Sequence, residues 1–321
     1  MKKTLANLAG FIYLVLYSVF VSTASISGKI GYQSEISPLE LLAFRFVLAA
    51  AVLWVYFLCF KRDALRLDRM GLVGCMQVAT LNSVAMLTYF SALLYLDASL
   101  SIVIYMTGFI PAVMLLLMIR GEYSSRLELF RFAVALIGIY LFVNFAVGEL
   151  NWIGLMLATI TPFFSALYIT MIQLRLRDYD SQTVTLYTMT FMGILCSVVY
   201  LAAGYRLPHF DTTTWAALLW LAIFASATAR LFLFAGINLA GSRQAALLSP
   251  LETLLAVLWA VLLLGESLTL PQWVGTFFVI ASAALGARAT TNRVRAKAAN
   301  APEVQPNGSR KSAAVRPASS C

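Results

Sequence analysis

Apolar runs of about 20 residues, repeated along almost the whole chain, are the feature that most constrains its fold. Runs of this length match the hydrocarbon core of a bilayer. The chain has 321 residues, of which 61% are hydrophobic and 12% charged, and a soluble domain of that size would need far more polar surface. The alternating pattern of a membrane barrel is absent, and helices satisfy their own backbone in lipid. We therefore predict an all-α integral membrane protein.

We predict ten transmembrane helices, separated by short loops that carry most of the charge. Their approximate ranges are 8–26, 39–60, 70–94, 98–118, 129–147, 151–173, 183–203, 215–238, 244–264 and 270–288. Met1-Lys2-Lys3 precedes the first range without a small-residue cleavage pattern. We interpret that first apolar run as a retained helix and not as a signal peptide.

The distribution of Lys and Arg predicts that both termini lie in the cytoplasm of a cell with an inner membrane. If the N-terminus is inside, the side opposite the cytoplasm holds only Lys29 and Arg206 as basic residues. The net charge of +9 then reflects topology, and no nucleic-acid partner is expected. Residues 289–321 are polar and basic, so we expect a disordered cytoplasmic tail that contacts anionic lipid headgroups.

A constant offset of 144 positions relates the two halves of the chain. It aligns Gly10 with Gly154, Phe20 with Phe164, Ser37 with Ser181, Leu42 with Leu186, and Gly121-Glu122 with Gly265-Glu266. Each half would hold five helices. Because five is odd, the second half would enter the membrane from the opposite side, which predicts an inverted repeat.

Two further patterns accompany the repeat. Arg45-Phe46 lies early in the second predicted helix, and Pro111 lies ten residues before Gly121-Glu122. Together with Gly-Glu at the ends of the fourth and ninth helices, these patterns resemble the drug/metabolite transporter superfamily, of the EamA-domain type. The resemblance implies one EamA-type repeat over residues 1–147 and another over 148–288. It also implies secondary transport, mostly export, of amino acids, metabolites or drugs.

The ninth predicted helix departs from the pattern of that family. Many relatives carry Leu-Glu-Pro here, whereas this chain has Leu251-Glu252-Thr253. Its proline, Pro250, lies two residues before the glutamate, so a helix break in this chain would be shifted along the helix.

Three ionisable side chains fall within predicted helices, where a charge is costly and points to function. Glu252 and Arg230 each lie about eight residues from the cytoplasmic ends of neighbouring antiparallel helices, hence at the same depth. We predict that they face the bundle interior, either as a packing ion pair or as a site for an amino-acid-like or carboxylate substrate. Glu252 would then meet an ammonium group or a proton. Arg45 lies nearer the outer face, where it can snorkel, pair with Glu40 or Asp97, or act in a gate.

Proline, aromatic and polar residues within the predicted helices add further candidates. Proline removes a backbone hydrogen bond, and the resulting kink is either static or part of a gate. The candidate helix breaks are Pro111, Pro162 and Pro250. Aromatic and polar side chains at helical spacing either pack or line a substrate cavity. The candidates for a cavity are Tyr13, Tyr17, Tyr105, Phe164, Tyr168, Asn82 and Ser249.

No catalytic constellation is visible in the sequence, so we expect no enzyme activity, metal or other cofactor. His209 is the only histidine, and the phosphate-binding Gly-Lys-Ser/Thr pattern is absent. The prediction is a secondary transporter for a small organic solute. Two alternatives stay open: a membrane-embedded enzyme or lipid-handling protein, and a passive channel.

Overall fold

Long α-helices form almost all of the structure, as the apolar runs predict. The computed structural model describes residues 2–34, 36–119, 126–144, 151–204 and 210–299, with some side chains inside these ranges left out. The helices are α1 (Lys2–Ser22), α2 (Ala24–Tyr32), α3 (Pro38–Phe60), α4 (Arg69–Ala92), α5 (Ala98–Ile119), α6 (Arg126–Asn144), α7 (Trp152–Arg175), α8 (Ser181–Ala202), α9 (Thr212–Leu219), α10 (Ala229–Ala240), α11 (Ser242–Leu264) and α12 (Leu270–Ala299). A π-helical segment, Trp220–Thr228, joins α9 to α10, and a short 3₁₀ helix, Arg62–Leu65, precedes α4. These ranges contain no β-strand.

Six helical stretches in the described part of the chain are long and apolar enough to cross a membrane. They are Leu8–Tyr32, Pro38–Phe60, Arg69–Ala92, Trp152–Arg175, Ser181–Ala202 and Thr212–Ala240. Shorter apolar helices are Ala98–Phe109, Ala133–Asn144, Pro250–Leu264 and Leu270–Ser282. Large apolar side chains such as Val55 and Leu262 are exposed on outer helix faces, as lipid contact requires. The chain is therefore a multi-pass helical membrane protein.

Polar capping residues set where several of these helices begin. Ser37 and Glu40 form a capping box at the start of α3, in which each side chain accepts the other residue's backbone N–H. Further side-chain caps, each next to the helix that it starts, are Asp68, Asn151, Asp180 and Asp211. Each accepts a backbone N–H from the first turn, which would otherwise lack a partner. The caps lie in the short polar loops and so separate one apolar run from the next.

The packing of the helices is equivalent in the two halves of the chain. Helices α5 and α11 begin at Ala98 and Ser242, and α6 and α12 begin at Arg126 and Leu270, so each pair is separated by the 144-position offset. Helix α1 packs against α10 and α11, while α7 packs against α4 and α5. When every helix is shifted by 144 positions, the first set of contacts corresponds to the second. Helices α3 and α8 pack on each other, as do α6 and α12, so each meets its own equivalent.

Two glycines show this equivalence at atomic detail. A Cβ built on Gly10 would lie 2.7 Å from the backbone nitrogen and the Cβ of Ala240. A Cβ built on Gly154 would lie 2.6 Å from the Cβ of Tyr95 and 2.8 Å from the Cγ of Leu96. Gly154 and Leu96 are the 144-offset equivalents of Gly10 and Ala240. Small residues therefore allow two helices to approach closely at matching places, as is common in membranes.

The irregular backbone lies elsewhere than at the predicted helix breaks. Pro162 and Pro250 lie inside α7 and α11, which continue through them. Pro111 lies within α5, and its side chain is outside the described set. The first apolar run is instead divided at Thr23, between α1 and α2, and the eighth contains the π-helical segment. A continuous helix can still bend at a proline, so the kinks at these three prolines stay a prediction.

The last helix extends beyond the apolar run that predicted it. Residues 289–321 were predicted to be disordered, yet α12 continues to Ala299. The extension is rich in Ala, Arg and Lys, which have high helix propensity, and this explains why a polar segment continues the helix. Residues 300–321 lie outside the described residues.

Candidate functional site

Tyr17 and Glu252 meet where α1 crosses α11. The Tyr17 hydroxyl donates a hydrogen bond of 3.4 Å to Oε2 of Glu252. Both side chains are enclosed by surrounding helices and still keep some accessible surface. Its contact with Tyr17 of α1 directs the Glu252 carboxylate towards a neighbouring helix, inside the bundle.

Arg230, on α10, lies near both of these side chains. Its guanidinium interacts electrostatically with Tyr17, Tyr168 and Glu252, and it lies within hydrogen-bonding reach of the Tyr168 hydroxyl. Among the described side chains, no direct ion pair of 4.0 Å or less joins Arg230 to Glu252. The two opposite charges therefore act on each other through space.

Tyrosine hydroxyls complete the surroundings of these two charges. Tyr105, on α5, interacts electrostatically with Tyr168 and Glu252. The Tyr89 ring, on α4, lies 5.8 Å from the Tyr105 ring. We refer to Tyr17, Tyr105, Tyr168, Arg230 and Glu252 as the central cluster. Its members come from five helices, α1, α5, α7, α10 and α11, and so from both halves of the chain.

The π-helical segment positions Arg230 at the start of α10. Within it, the Ser226 hydroxyl donates a hydrogen bond of 2.8 Å to the Leu221 carbonyl oxygen, five residues earlier. A π-helix turns the following residues relative to an α-helix of the same length, and such segments are frequent at functional sites. The direction of the Arg230 side chain therefore depends on this irregular backbone.

The two halves differ in chemistry at the position of the carboxylate. Gly108, on α5, is the 144-offset equivalent of Glu252. A Cβ on Gly108 would lie 2.6 Å from Cγ of Pro162, so α5 and α7 are in close contact there. An acidic side chain has no space at this place in the first half. The central cluster is consequently asymmetric, with its one carboxylate contributed by α11.

The other predicted aromatic residue of α1 packs against α10. The Tyr13 ring stacks on Phe232, with ring centroids 5.6 Å apart. Phe20, one turn beyond Tyr17, also contacts Phe232, at 5.8 Å. Tyr17 thus lies on a helix face held by aromatic packing on both sides, which limits the positions its hydroxyl can take.

The remaining predicted site residues have varied surroundings. Asn82 donates a hydrogen bond of 3.3 Å to the Met192 sulfur, between α4 and α8. Phe164 lies on α7 one turn before Tyr168 and is partly buried. The Ser249 side chain is outside the described set. Their roles in binding stay predictions.

Tyr89 and Ser226 are two residues near the site that the sequence did not single out. Ser226 is a polar residue inside a strongly apolar run, and that signal could have found it. Tyr89 has no distinguishing signal along its own helix, because only the packing of α4 on its neighbours brings it towards Tyr105.

Arg45 is buried and does not reach the surface. It is 7% exposed, and its Nε donates a hydrogen bond of 2.8 Å to the Ser226 hydroxyl. Glu40 is engaged elsewhere: its Oε2 accepts the Ser37 backbone N–H, and its Oε1 accepts the Tyr200 hydroxyl at 3.4 Å. The predicted partnership of Arg45 with Glu40 is therefore not formed in this structure. Ser226 links Arg45 directly to the π-helical segment.

Glu266 joins the end of α11 to the start of α5. Gly265 ends α11 with φ at +69°, a left-handed conformation that favours glycine. The Glu266 carboxylate then accepts the backbone N–H groups of Ala98 at 2.7 Å and Ser99 at 3.1 Å, together with the Ser99 hydroxyl. This carboxylate caps a helix from the other half of the chain. Its repeat equivalent, Glu122, lies outside the described residues.

A recess of about 390 Å³ lies beside this cap. We name it the Glu266 recess, since Glu266 lies in its wall together with Lys29, Tyr32, Asp97 and Leu264. It contains both a cationic and two anionic side chains. By the predicted orientation, it opens on the side opposite the cytoplasm.

A polar contact between loops lies at the opposite end of the helices. The Tyr179 hydroxyl donates a hydrogen bond of 2.7 Å to Oδ1 of Asp68. Together with the Gly71 backbone N–H, it holds the pKa of Asp68 below its usual value. Tyr179 lies between α7 and α8, and Asp68 lies between α3 and α4, so the contact joins the two halves of the chain.

The fold and the central cluster define a class: a multi-pass helical membrane protein with charged groups enclosed between its helices. The chain belongs to the EamA-like transporter family, whose sequence profile matches residues 8–144 and again 152–287.

Relatives with known sequences agree with this assignment. The chain is 25% identical over 285 residues to an uncharacterized transporter of Clostridium kluyveri, covering 84% of this chain and 90% of that protein. It is 24% identical over 292 residues to the uncharacterized transporter YcbK of Bacillus subtilis, covering 85% and 91%. A shorter match, 31% over 136 residues, links 42% of this chain to 45% of the uncharacterized inner membrane transporter YicL of Salmonella typhimurium.

A solved crystal structure with a similar fold is among those that match this chain. It superposes with a TM-score of 0.61 at 17% identity, covering 91% of this chain and 99% of that one. At this identity the likeness concerns the fold alone.

Proposed function

We propose that this protein is a secondary transporter that exports a small organic solute across the inner membrane by alternating access. The observation that carries the proposal is the central cluster, in which one cation, one anion and three tyrosines from both halves interact with one another inside the bundle. Charged groups inside a membrane are costly and face pathways for substrates or ions. Family membership supports a transporter in general.

We further propose ten transmembrane helices in two inverted halves. With five helices in each half, the second half runs through the membrane in the opposite sense. The matched contacts of Gly10 and Gly154 support a two-fold relation, because each half meets the other at the equivalent place. In such transporters the substrate site lies between the halves, and the halves rock around it.

The chemistry of the central cluster favours a zwitterionic, amino-acid-like solute. Arg230 offers a guanidinium to a carboxylate, and Glu252 offers a carboxylate to an ammonium group or a proton. The two charges form no direct ion pair, so each is available to a solute that carries both charges. The hydroxyls of Tyr17, Tyr105 and Tyr168 add hydrogen-bond donors and acceptors.

A binding screen on the purified protein tests the proposal. Amino acids and related zwitterions are expected to raise the melting temperature of the wild-type protein, and solutes that do so are then tested for transport in proteoliposomes. Saturable uptake supports a transporter, while non-saturable flux indicates a passive channel. If neither binding nor saturable flux is found across a broad panel, the proposal fails.

A further inference from the structure

We propose that Arg45 is a second site for an anionic group, placed between the central cluster and the Glu266 recess. The anionic group is the carboxylate of the transported solute or a free inorganic anion. The inference rests on the proposed transport function only for the first of these two sources.

The Arg45 guanidinium is incompletely satisfied. The side chain is 7% exposed, and its Nη1 is buried without a hydrogen-bond partner. Nε donates to the Ser226 hydroxyl at 2.8 Å. The guanidinium carbon lies 5.2 Å from the ring centroids of both Phe46 and Phe90. Aromatic faces attract a cation, but they do not provide the acceptor that the buried N–H groups need.

No carboxylate among the described residues balances this charge. In the part of the chain that the structure describes, the charged or titratable groups facing Arg45 are Arg230, Tyr89 and Tyr32, with no carboxylate among them. The only full charge in that set has the same sign. An arginine remains protonated inside a protein, and a buried charge is strongly disfavoured without a counter-charge. Because the described residues supply no counter-charge, we assign that role to an anion from outside the chain.

The neighbours of Arg45 place it on a route between two spaces. Tyr32 lines the Glu266 recess, and its hydroxyl donates a hydrogen bond of 2.7 Å to the Phe90 carbonyl oxygen. On the other side, Tyr89 contacts Tyr105 of the central cluster. Arg45 interacts with both tyrosines.

Three cations therefore follow one another from the centre to the recess: Arg230, Arg45 and Lys29. The Phe90 ring lies against the guanidinium, and Nη1 is buried. Access of an anion to Arg45 would require the Phe90 ring to turn aside. The planar guanidinium then holds a carboxylate through two parallel hydrogen bonds. The carboxylate of a solute leaving Arg230 would meet Arg45 before it meets Lys29.

The melting temperature of the purified full-length protein in different salts tests this site. Sodium acetate and sodium chloride are compared with acetamide, at an ionic strength kept constant with the bulky sulfonate HEPES. A ligand that binds the folded state raises the melting temperature. Acetate, which is an anion, is expected to raise the melting temperature of the wild-type protein. Acetamide, which is neutral, is not expected to raise it. Stabilisation by acetate alone assigns a carboxylate ligand, and equal stabilisation by chloride assigns a free inorganic anion.

Three variants make the test specific to Arg45. In Arg45→Gln, the rise in melting temperature caused by acetate is expected to fall to less than about one third of the wild-type value. In Arg45→Lys, the acetate concentration that gives half of the maximal rise is expected to increase about tenfold. Thr188→Val, which alters a polar residue as buried as Arg45 but outside the candidate site, is the matched control and should respond as the wild type does. If Arg45→Gln does not fold, Arg45→Lys and Thr188→Val still decide the question. An unchanged response in the Arg45 variants overturns the inference.

A second readout separates this inference from the proposed function. In proteoliposomes, Arg45→Gln should reduce transport of a carboxylate solute at least about tenfold more than transport of its carboxamide. If saturable flux occurs but both solutes are affected equally, Arg45 has only a structural role and the transport proposal stands. If no solute gives saturable flux, the transport proposal fails, and the salt-dependent melting still tests Arg45.

Discussion

The hydroxyl of Tyr17 donates a hydrogen bond of 3.4 Å to the carboxylate of Glu252, joining α1 to α11 inside the bundle. The two residues are separated by 235 positions in the sequence. Arg230 acts on the same carboxylate through space. Glu252 therefore has a neutral donor in contact and a cation at greater distance, which leaves it available to a solute.

Tyr17→Phe tests this contact. Removal of one hydrogen bond to a charged group costs roughly 1–3 kcal/mol, and the length of this bond places the effect at the lower end. We expect the KM for the transported solute to rise about fivefold, with little change in melting temperature. Tyr13→Phe is the matched control, because its ring stacking on Phe232 is kept. Equal effects of the two variants on KM would contradict the assignment of Tyr17 to the site.

Gly10→Ala and Gly154→Ala test the equivalence of the two halves. Each new Cβ would lie under 3.0 Å from atoms of the facing helix, so the helices must move apart. We expect each variant to lower the free energy of unfolding by about 1–3 kcal/mol, by overpacking. Denaturant titration in detergent micelles measures the change. Ala51→Leu, at an exposed position of α3, is the control and should be close to neutral. If only one of the two glycine variants has a lower free energy of unfolding, the packing at the two places is not equivalent.

Glu266→Ala tests the cap that joins α11 to α5. The carboxylate accepts two backbone N–H groups and the Ser99 hydroxyl, and bonds to a charged group contribute roughly 1.5–3 kcal/mol each. We expect a clear drop in melting temperature, partly restored in Glu266→Gln, which keeps one acceptor oxygen. Asp97→Ala, an exposed carboxylate of the same recess, is the matched control. If the two alanine variants melt alike, Glu266 does not stabilise α5.

Tyr179→Phe tests the loop contact through its pH dependence. Because the hydrogen bond from Tyr179 lowers the pKa of Asp68, its stabilising effect is present above the ordinary aspartate pKa of about 3.9 and is lost as the pH falls through the lowered value. We expect the variant to melt below the wild type at pH 5–7 and to converge with it in more acidic buffer.

Tyr187→Phe is the control for that experiment. The Tyr187 hydroxyl donates to the Leu65 carbonyl oxygen at 2.7 Å, and a carbonyl does not titrate. The difference between this variant and the wild type should therefore be independent of pH. A pH-independent difference for Tyr179→Phe as well would show that Asp68 is not the linked group.

The helices were predictable from sequence because hydropathy acts locally. Each predicted range coincides with one helix or with consecutive helical segments, and the offset of 144 recurs in the helix starts. The π-helical segment, the division at Thr23 and the helical extension to Ala299 were not predictable in the same way. The first two depend on how helices pack, and the third on helix propensity acting where hydropathy had ended.

The candidate site was predictable only in part. A charge inside an apolar run drew attention to Glu252 and Arg230, since burial makes such residues costly. Their partners could not be read in the same way. Tyr89 and Ser226 approach the site through contacts between distant helices, and Glu266 caps a helix that begins 168 positions earlier. Such relationships depend on tertiary packing, which a pattern along one helix does not contain.

Counterflow in proteoliposomes tests the central claim most directly. Vesicles with purified protein are loaded with an unlabelled zwitterionic solute that stabilises the protein, and uptake of the labelled solute is measured against an empty-vesicle control. An alternating-access transporter with its site at Glu252 predicts a transient accumulation of label, reduced at least about tenfold in Glu252→Gln and little changed in Asp97→Asn. Accumulation that is absent in the wild type, or equal in wild type and Glu252→Gln, would contradict the account.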